Sequence, residues 1–416
     1  MNHRHILFAS LIGTTIEFYD FYIYGTAAVL VFPALFFPGS NPATATLQSL
    51  ATFALAFLAR PVGSAVFGHF GDRIGRKATL VAALLTMGLS TVCIGLLPTY
   101  ASIGVAAPAL LALCRFGQGI GLGGEWGGAV LLATENAPAG KREWYGMFPQ
   151  LGAPIGFIVA NGLFVLLGTM LDDKQFLGWG WRIPFLASLL LVFVGLYVRL
   201  QLTETPAFQE ALDRNERVEV PLITVMRDHA AVLVLATLAA VTTFAIFYLM
   251  TVFTLSYGTQ SLGYVRQDFL ILQIIAVVFF GLGIPLSARI AGRIGSMPML
   301  IAATLAIIVY GLAFGSLFSA GDKGSVLLML SLGLAAMGLT YGPLGTALAD
   351  TFPTAVRYTG ASLAFNFAGI LGGSLAPYIA TALAARFGIA AVGYYLSGAG
   401  LVTLVALLAL KHKTGR

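Results

Sequence analysis

Runs of about twenty apolar residues recur along almost the whole chain, separated by short polar connections, and that length is what a helix needs to cross a bilayer. The runs predict twelve spans, at 7–36, 47–69, 78–98, 102–133, 146–171, 183–201, 230–257, 267–290, 297–319, 325–349, 358–384 and 388–410. No stretch is left over for a large soluble domain. The first run contains Glu17 and Asp20 and continues to about Phe36, which is too long and too polar for the h-region of a cleaved leader, so it reads as a retained span.

The longest polar stretch, Gln201 to His229, separates two groups of six spans. It divides the chain into 1–201, a linker at 202–229 and 230–416. Two signals recur at corresponding places. Asp72-Arg73-Ile74-Gly75-Arg76 after the second span returns as Gly292-Arg293-Ile294-Gly295-Ser296 after the eighth, and Glu135-x-x-Pro138-x-x-x-Arg142 returns as Asp350-x-x-Pro353-x-x-x-Arg357. Such repetition predicts an all-α membrane protein made of two pseudo-symmetric six-helix bundles related by an axis along the membrane normal.

Composition strengthens this picture. Hydrophobic residues make up 58% and charged residues 10% of the 416 positions, against about a quarter charged in a soluble domain. The net charge of +6 is spread over short connections and forms no nucleic-acid patch. With the N-terminus inside, sixteen of the 23 lysines and arginines, Arg199 among them, fall in cytoplasmic segments and five outside, which predicts cytoplasmic termini by the positive-inside rule. Cys93 and Cys114 lie in apolar stretches and read as small core residues, without a disulfide framework or thiolate metal site. Trp179 and Trp181 stand at a span entrance, where aromatic residues anchor at the interface. No phosphate loop of the form G-x-x-x-x-G-K-[ST] occurs, so an ion gradient is expected as energy source, and no cofactor is expected.

Against that apolar background the ionisable residues inside spans stand out. Glu17 and Asp20 are three apart and share a helical face with Gly13 and Tyr24. An ionised carboxylate at this depth costs several kcal/mol unless it is paired or takes up a proton, which is the chemistry of a proton coupler; a structural acid is the plainer reading. On the fourth span Arg115, Gln118, Leu122 and Glu125 form one polar face flanked by glycine stripes. The Arg115 guanidinium can hold a carboxylate bidentately, either Asp20 or a substrate. Glu125 is open between a second titrating site and a partner of Arg60. Gln150, Asn161, Tyr248, Gln273, Tyr341 and Asn366, with Tyr24, are candidate cavity-lining hydrogen bonders, or equally interhelical polar contacts.

The segment Gly68-His-Phe-Gly-Asp72-Arg73-Ile-Gly75-Arg76-Lys77 resembles the loop signature of the major facilitator superfamily, and Arg115-Phe-Gly-Gln118-Gly-Ile-Gly-Leu-Gly-Gly resembles its fourth-helix motif. Within it, Glu17-Phe-Tyr-Asp20-Phe-Tyr, Arg60-Pro61-Val-Gly63, Trp179-Gly-Trp181-Arg182-Ile-Pro184-Phe and Phe352-Pro-Thr-Ala-Val-Arg357-Tyr-Thr-Gly360 are similar to the metabolite:proton symporter family, most of all its shikimate-like members. That family also includes transporters of α-ketoglutarate, citrate and proline or betaine. The resemblance implies an inner gate made of Asp72, Arg73 and Arg76 with Glu135, Arg142, Asp350 and Arg357, the arginines bridging Glu135 or Asp350. Gly292 and Ser296 depart from the motif, so the second-half counterpart is expected to be weaker.

These readings together predict a transporter and no enzyme: a proton symporter in the inner membrane, acting as a monomer, that imports a small organic acid by alternating access. Its expected partners are a carboxylate substrate and the lipid bilayer. Proton-coupled efflux and import of a zwitterionic osmolyte stay open. A channel would need a filter loop or charged ring, and the sequence has neither.

Overall fold

In this computed structural model, residues 3–39, 41–74, 76–200, 221–318, 322–353 and 356–414 are described, with side chains described for these residues apart from 3–6, 68–77, 221 and 414. The described residues form helices and connections without a strand. The long helices are α1 (His3–Leu30), α2 (Pro42–Ile74), α3 (Arg76–Leu96), α4 (Ala106–Gly123, continued by Trp126–Glu135), α5 (Arg142–Met170), α6 (Arg182–Leu200), α7 (Ala230–Gln260), α8 (Arg266–Ile294), α9 (Ser296–Leu317), α10 (Lys323–Thr351), α11 (Arg357–Phe387) and α12 (Ile389–Thr414). Among the described residues, ten helices are long and apolar enough to cross a membrane; α1, with its two acids, and α4, which is broken, complete the twelve. An even number of spans returns both termini to one side. The 29-residue helices α5, α8 and α10 exceed the roughly 30 Å hydrocarbon core at about 1.5 Å per residue, so they project beyond it or cross at a tilt. Large apolar side chains of α6, such as Leu190, Phe193 and Tyr197, are exposed, as a lipid-facing surface requires.

Neighbour relations repeat between the halves. In the first bundle α1 packs on α5, α2 on α4 and α3 on α6; in the second α7 packs on α11, α8 on α10 and α9 on α12. Across the interface α2 meets α11 and α5 meets α8, the same relation shifted by six helices. Glycine allows the close approach that these contacts need without a hydrophobic driving force between helices. A Cβ on Gly119 of α4 would overlap the backbone of Ala56 on α2, and one on Gly338 of α10 would meet the carbonyl of Phe280 on α8.

Several expectations are corrected. The fourth span is not one helix over 102–133: it starts at Ala106 and breaks at Gly124 and Glu125, where the Glu125 N–H turns back to the Leu122 carbonyl at 3.4 Å. The first span ends at Leu30 rather than near Phe36, and Pro33 belongs to a separate short helix, Phe32–Phe36. Helix α7 carries a wider π turn at Leu249–Phe253. Gln273 of α8 donates to the carbonyls of Met250 at 3.0 Å and Thr251 at 2.6 Å there, satisfying groups that the widened turn frees. Cys93 is exposed rather than a core residue, and Cys114 is half-buried. Trp181 is no interface anchor but fully buried against Phe32, Phe36 and Phe185, whereas Trp179 is half-exposed. Residues 201–220, which hold most of the linker, lie outside the described residues; the linker's end forms the helix Pro221–Asp228.

Candidate functional site

The centre of the molecule is a layer of rings where the two bundles meet. Phe21 and Tyr22 of α1, Phe53 and Phe57 of α2 and Phe157 of α5 pack against Phe247 and Tyr248 of α7 with centroids 5.3 to 6.3 Å apart. Tyr22, Thr26, Phe53, Phe157, Tyr248, Thr251 and Gln273 line a cavity in this layer. Thr26 donates to Asn161 at 2.6 Å, so Asn161 supports the lining from behind. Gln273 is held by the π turn, as described, which leaves it positioning the wall.

Two buried guanidiniums border the ring layer. Arg115 stands over Phe21, Tyr24 and Phe53 at 4.3, 4.1 and 4.9 Å, contacts that favour a cation. Its Nη1 donates to Gln118 at 2.9 Å and its Nε to the Phe53 carbonyl at 3.3 Å, while Nη2 has no partner. Arg60 lies over Phe21 and Phe57 at 4.6 and 4.8 Å, with its Nε unpartnered. Tyr24 is occupied by donating to Thr52 at 2.8 Å.

Asp20 does not pair with Arg115 in this conformation; its carboxylate points into the first bundle. Ser188 of α6 donates to Oδ1 at 2.5 Å, and Oδ2 has no partner. Thr91 of α3 lies beside it, and the Thr91 hydroxyl accepts from Gln118 at 2.8 Å. The acid therefore lies beside the far end of a hydrogen-bonded chain that runs from Thr91 through Gln118 to Arg115. Glu17, one turn away, is buried with Oε2 unpartnered and within electrostatic reach of Arg60 and Arg199. Glu125 is not a partner of Arg60 but forms a buried ion pair with Arg199. Arg199 is accordingly an interior residue of α6 rather than a loop charge.

Polar contacts close the space between bundles on both sides. On the side of the termini Arg142 pairs with Asp350 at 3.0 Å, Ser296 donates to Glu143 at 2.5 Å, Tyr358 donates to the Gly124 carbonyl at 2.8 Å, and Asn366 donates to Ser64 at 2.7 Å. Trp126 stacks on Phe365 there at 3.6 Å and donates to Gln150, which donates in turn to the Tyr341 carbonyl. On the opposite side Arg266 donates to Asp173 at 3.0 Å and Gln260 to Thr46 at 2.9 Å. The cavity thus lies between two closures. Glu135 is exposed and Arg357 half-buried, its Nε unpartnered. Gly68, Asp72, Arg73, Gly75 and Arg76 lie outside the residues whose side chains are described. Thr91, Ser188, Thr26 and Thr251 were not singled out from sequence; the only signal for Ser188 was a hydroxyl within the apolar run of α6.

The pattern of the sugar (and other) transporter family matches residues 5–224. The chain is 56% identical over 420 residues to the inner membrane metabolite transport protein YhjE of Escherichia coli (strain K12), covering 100% of this chain and 95% of that protein. It is 35% identical over 419 residues to the shikimate transporter of the same strain, covering 98% and 94%. A solved structure of the proton:xylose symporter XylE bound to 6-bromo-6-deoxy-D-glucose shares the fold, with a TM-score of 0.77 at 18% identity over 98% of this chain and 95% of that one. With near-complete coverage by relatives and two bundles of repeated helix neighbours, the chain belongs to the sugar (and other) transporter family of the major facilitator superfamily and is a transporter of metabolites.

Proposed function

We propose that this protein is a proton symporter that imports a small organic acid across the inner membrane, with both termini in the cytoplasm. The observation that carries the reading is the pairing of two incomplete groups: Asp20, buried with one oxygen unpartnered, and Arg115, buried with Nη2 unpartnered, with Thr91 and Gln118 between them. A charged pair separated in this way is held by hydrogen bonds that change direction when the acid changes state.

With Asp20 ionised, the Thr91 hydroxyl can turn to donate to it. A proton arriving from outside makes Asp20 a donor, and Thr91 becomes its acceptor and keeps its bond to the Met87 carbonyl at 3.0 Å. The local negative charge is gone, and the carboxylate of the substrate replaces it as counter-charge for Arg115. The free Nη2 supplies the bond, and the rings of Phe21, Phe53 and Tyr248 cover the carbon skeleton. The hydroxyls of Thr26 and Thr251 favour a hydroxylated acid. Rocking of 1–201 against 230–416 then exposes the site alternately, with the Arg142–Asp350 and Arg266–Asp173 contacts opening in turn. With Arg199 counted inside the bundle, the distribution of basic residues is fifteen to five and still supports the orientation, and the metabolite transporters among the relatives support the cargo class.

The test uses Asp20→Asn in proteoliposomes. Exchange of labelled against unlabelled acid should persist while accumulation driven by a proton gradient is lost; intact accumulation would overturn the reading. Inside-out vesicles separate import from efflux. A stability screen of organic acids against betaine and proline separates acid from zwitterion.

A further inference from the structure

We infer that the proton leaves by a route of its own inside the first bundle, through a chamber at the Glu125–Arg199 ion pair, rather than down the cleft between bundles that the substrate uses. The inference rests on the proton-coupled reading of Asp20.

Two placements support a separate route. The Asp20 carboxylate is held from within the first bundle, by Ser188 of α6 beside Thr91 of α3, and not from the second bundle. On the side of the termini a cavity opens inside that same bundle, lined by Ser10, Gly13 and Thr14 of α1, Glu125 and Gly128 of α4, and Arg199 of α6. Gly13, Glu17 and Asp20 follow one another on a single face of α1, so the chamber begins about 10 Å below the coupling acid with Glu17 between.

The chamber also holds the polar atoms that a proton path needs. Glu125 Oε2 and Ser10 Oγ are buried without partners, and with the Arg199 guanidinium in an otherwise largely apolar lining they offer a water the polar partners it needs. Gly13 brings α1 against the pair: a methyl there would sit 3.6 Å from both Arg199 Nη2 and Glu125 Oε1. Glu125 pairs with Arg199 from α6, the Tyr358 hydroxyl from α11 sits on the neighbouring Gly124 carbonyl, and α3 offers the Leu80 carbonyl, which accepts from Arg199 Nη1; Glu17 of α1 in turn has Arg60 of α2 and Arg199 within electrostatic reach. Glu17 is within electrostatic reach of Arg199, so the two acids compete for one guanidinium. Glu17, neutral at rest, passes its proton to Glu125. Neutral Glu125 releases Arg199, which takes the newly ionised Glu17 as partner. The proton of Asp20 then neutralises Glu17, and Glu125 loses its proton to water on the cytoplasmic side and recovers Arg199. One proton enters and one leaves, and Glu17, Glu125 and Arg199 return to their starting charges.

The experiment needs no substrate, because the proton itself is the probe. In the full chain with Cys93→Ser and Cys114→Ser, thiols placed at Arg142 and Asp350 and at Thr46 and Gln260 are bridged by a short bifunctional reagent, locking both ends of the cleft. The infrared carbonyl band that Asp20→Asn removes is then followed after a pH jump on the cytoplasmic side. The locked protein should respond nearly as fast as the unlocked one. Glu125→Gln combined with Arg199→Gln, which leaves no lone charge, should slow the response at least about tenfold. Gly128→Leu, which fills the chamber and keeps both charges, should slow it as well, and it decides the matter if the double variant fails to fold. A locked protein that no longer responds, or a Gly128→Leu protein that responds at the native rate, overturns the separate route. If the band ignores pH even in the unlocked protein, the coupling role of Asp20 itself is wrong.

Discussion

Arg115 donates from Nη1 to Gln118 Oε1 at 2.9 Å, one turn further along α4, and Gln118 passes the link on through Nε2 to Thr91 at 2.8 Å. The amide thus faces a cation with its oxygen and a hydroxyl with its nitrogen. It fixes the direction in which the free Nη2 points.

Removing that amide should weaken substrate binding more than it disturbs the fold. A hydrogen bond to a charged group contributes about 1.5–3 kcal/mol, so Gln118→Leu should raise KM for the transported acid by about tenfold or more. Gln118→Glu should be worse, since a carboxylate at that position takes the guanidinium for itself. Initial rates of uptake over a range of concentrations measure this. An unchanged KM in both variants would remove Gln118 from the site.

Arg115→Lys keeps the charge and should still lose most transport. The guanidinium sits among three rings and divides its bonds between Gln118 and the Phe53 carbonyl. An ammonium is a compact point charge that cannot reproduce a planar fork. Uptake should fall by at least about tenfold, equivalent to one hydrogen bond of the charged kind. Normal elution of the purified variant in detergent would show that the loss is local, and uptake near the native level would show that charge alone suffices.

The parts of this site differed in how openly the sequence displayed them, and the reasons are physical. Asp20 and Arg115 were legible because an ionisable group in an apolar run is costly and has few structural uses. Thr91 and Ser188 were not, since a hydroxyl inside a helix commonly bonds its own chain one turn back, as Thr134 does with the Val130 carbonyl and Thr251 with that of Phe247. Thr91 makes that same bond to the Met87 carbonyl, and only tertiary packing reveals that it also accepts from Gln118 and that Ser188 turns to Asp20. Arg199 was misread as a loop charge because the apolar run of α6 ends beside it, whereas the structure turns it inward to Glu125. The spans themselves were plain, as lipid obliges each crossing to be a helix of about twenty apolar residues. The break in α4 was hidden, because the glycines around Gly124 read equally well as a packing stripe.

Asp350→Asn should loosen the closure on the side of the termini only slightly. The side chains of Arg142 and Asp350 are 37% and 28% exposed, and pairs so placed contribute about 0–1 kcal/mol. The open-to-closed ratio should shift by at most about fivefold, since Ser296 with Glu143 and Trp126 with Phe365 still bridge the same side. Labelling rates of a cysteine introduced at Thr346, at the same closure, report the ratio. A closure that stays permanently open on the side of the termini would mean that this one ion pair carries the gate.

Gly119→Ala tests whether the close contact of α2 with α4 holds the two arginines in place. The added methyl would run into the backbone of Ala56, and neither helix has a side chain there that could give way. Overpacking of this kind costs about 1–3 kcal/mol. The added strain parts the helices that carry Arg60 and Arg115, so both stability and uptake should fall. Gly292→Ala is the matched control: its Cβ meets nothing within 4 Å, and alanine is favoured over glycine inside a helix by about 0.5–1 kcal/mol. That variant should be as stable as the native chain or slightly more so. Thermal unfolding in detergent, followed beside uptake, compares the two. Equal unfolding temperatures for both variants would show that α2 and α4 have slack, and the position of Arg115 would then have to be set by its ring contacts and its bonds to Gln118 and the Phe53 carbonyl.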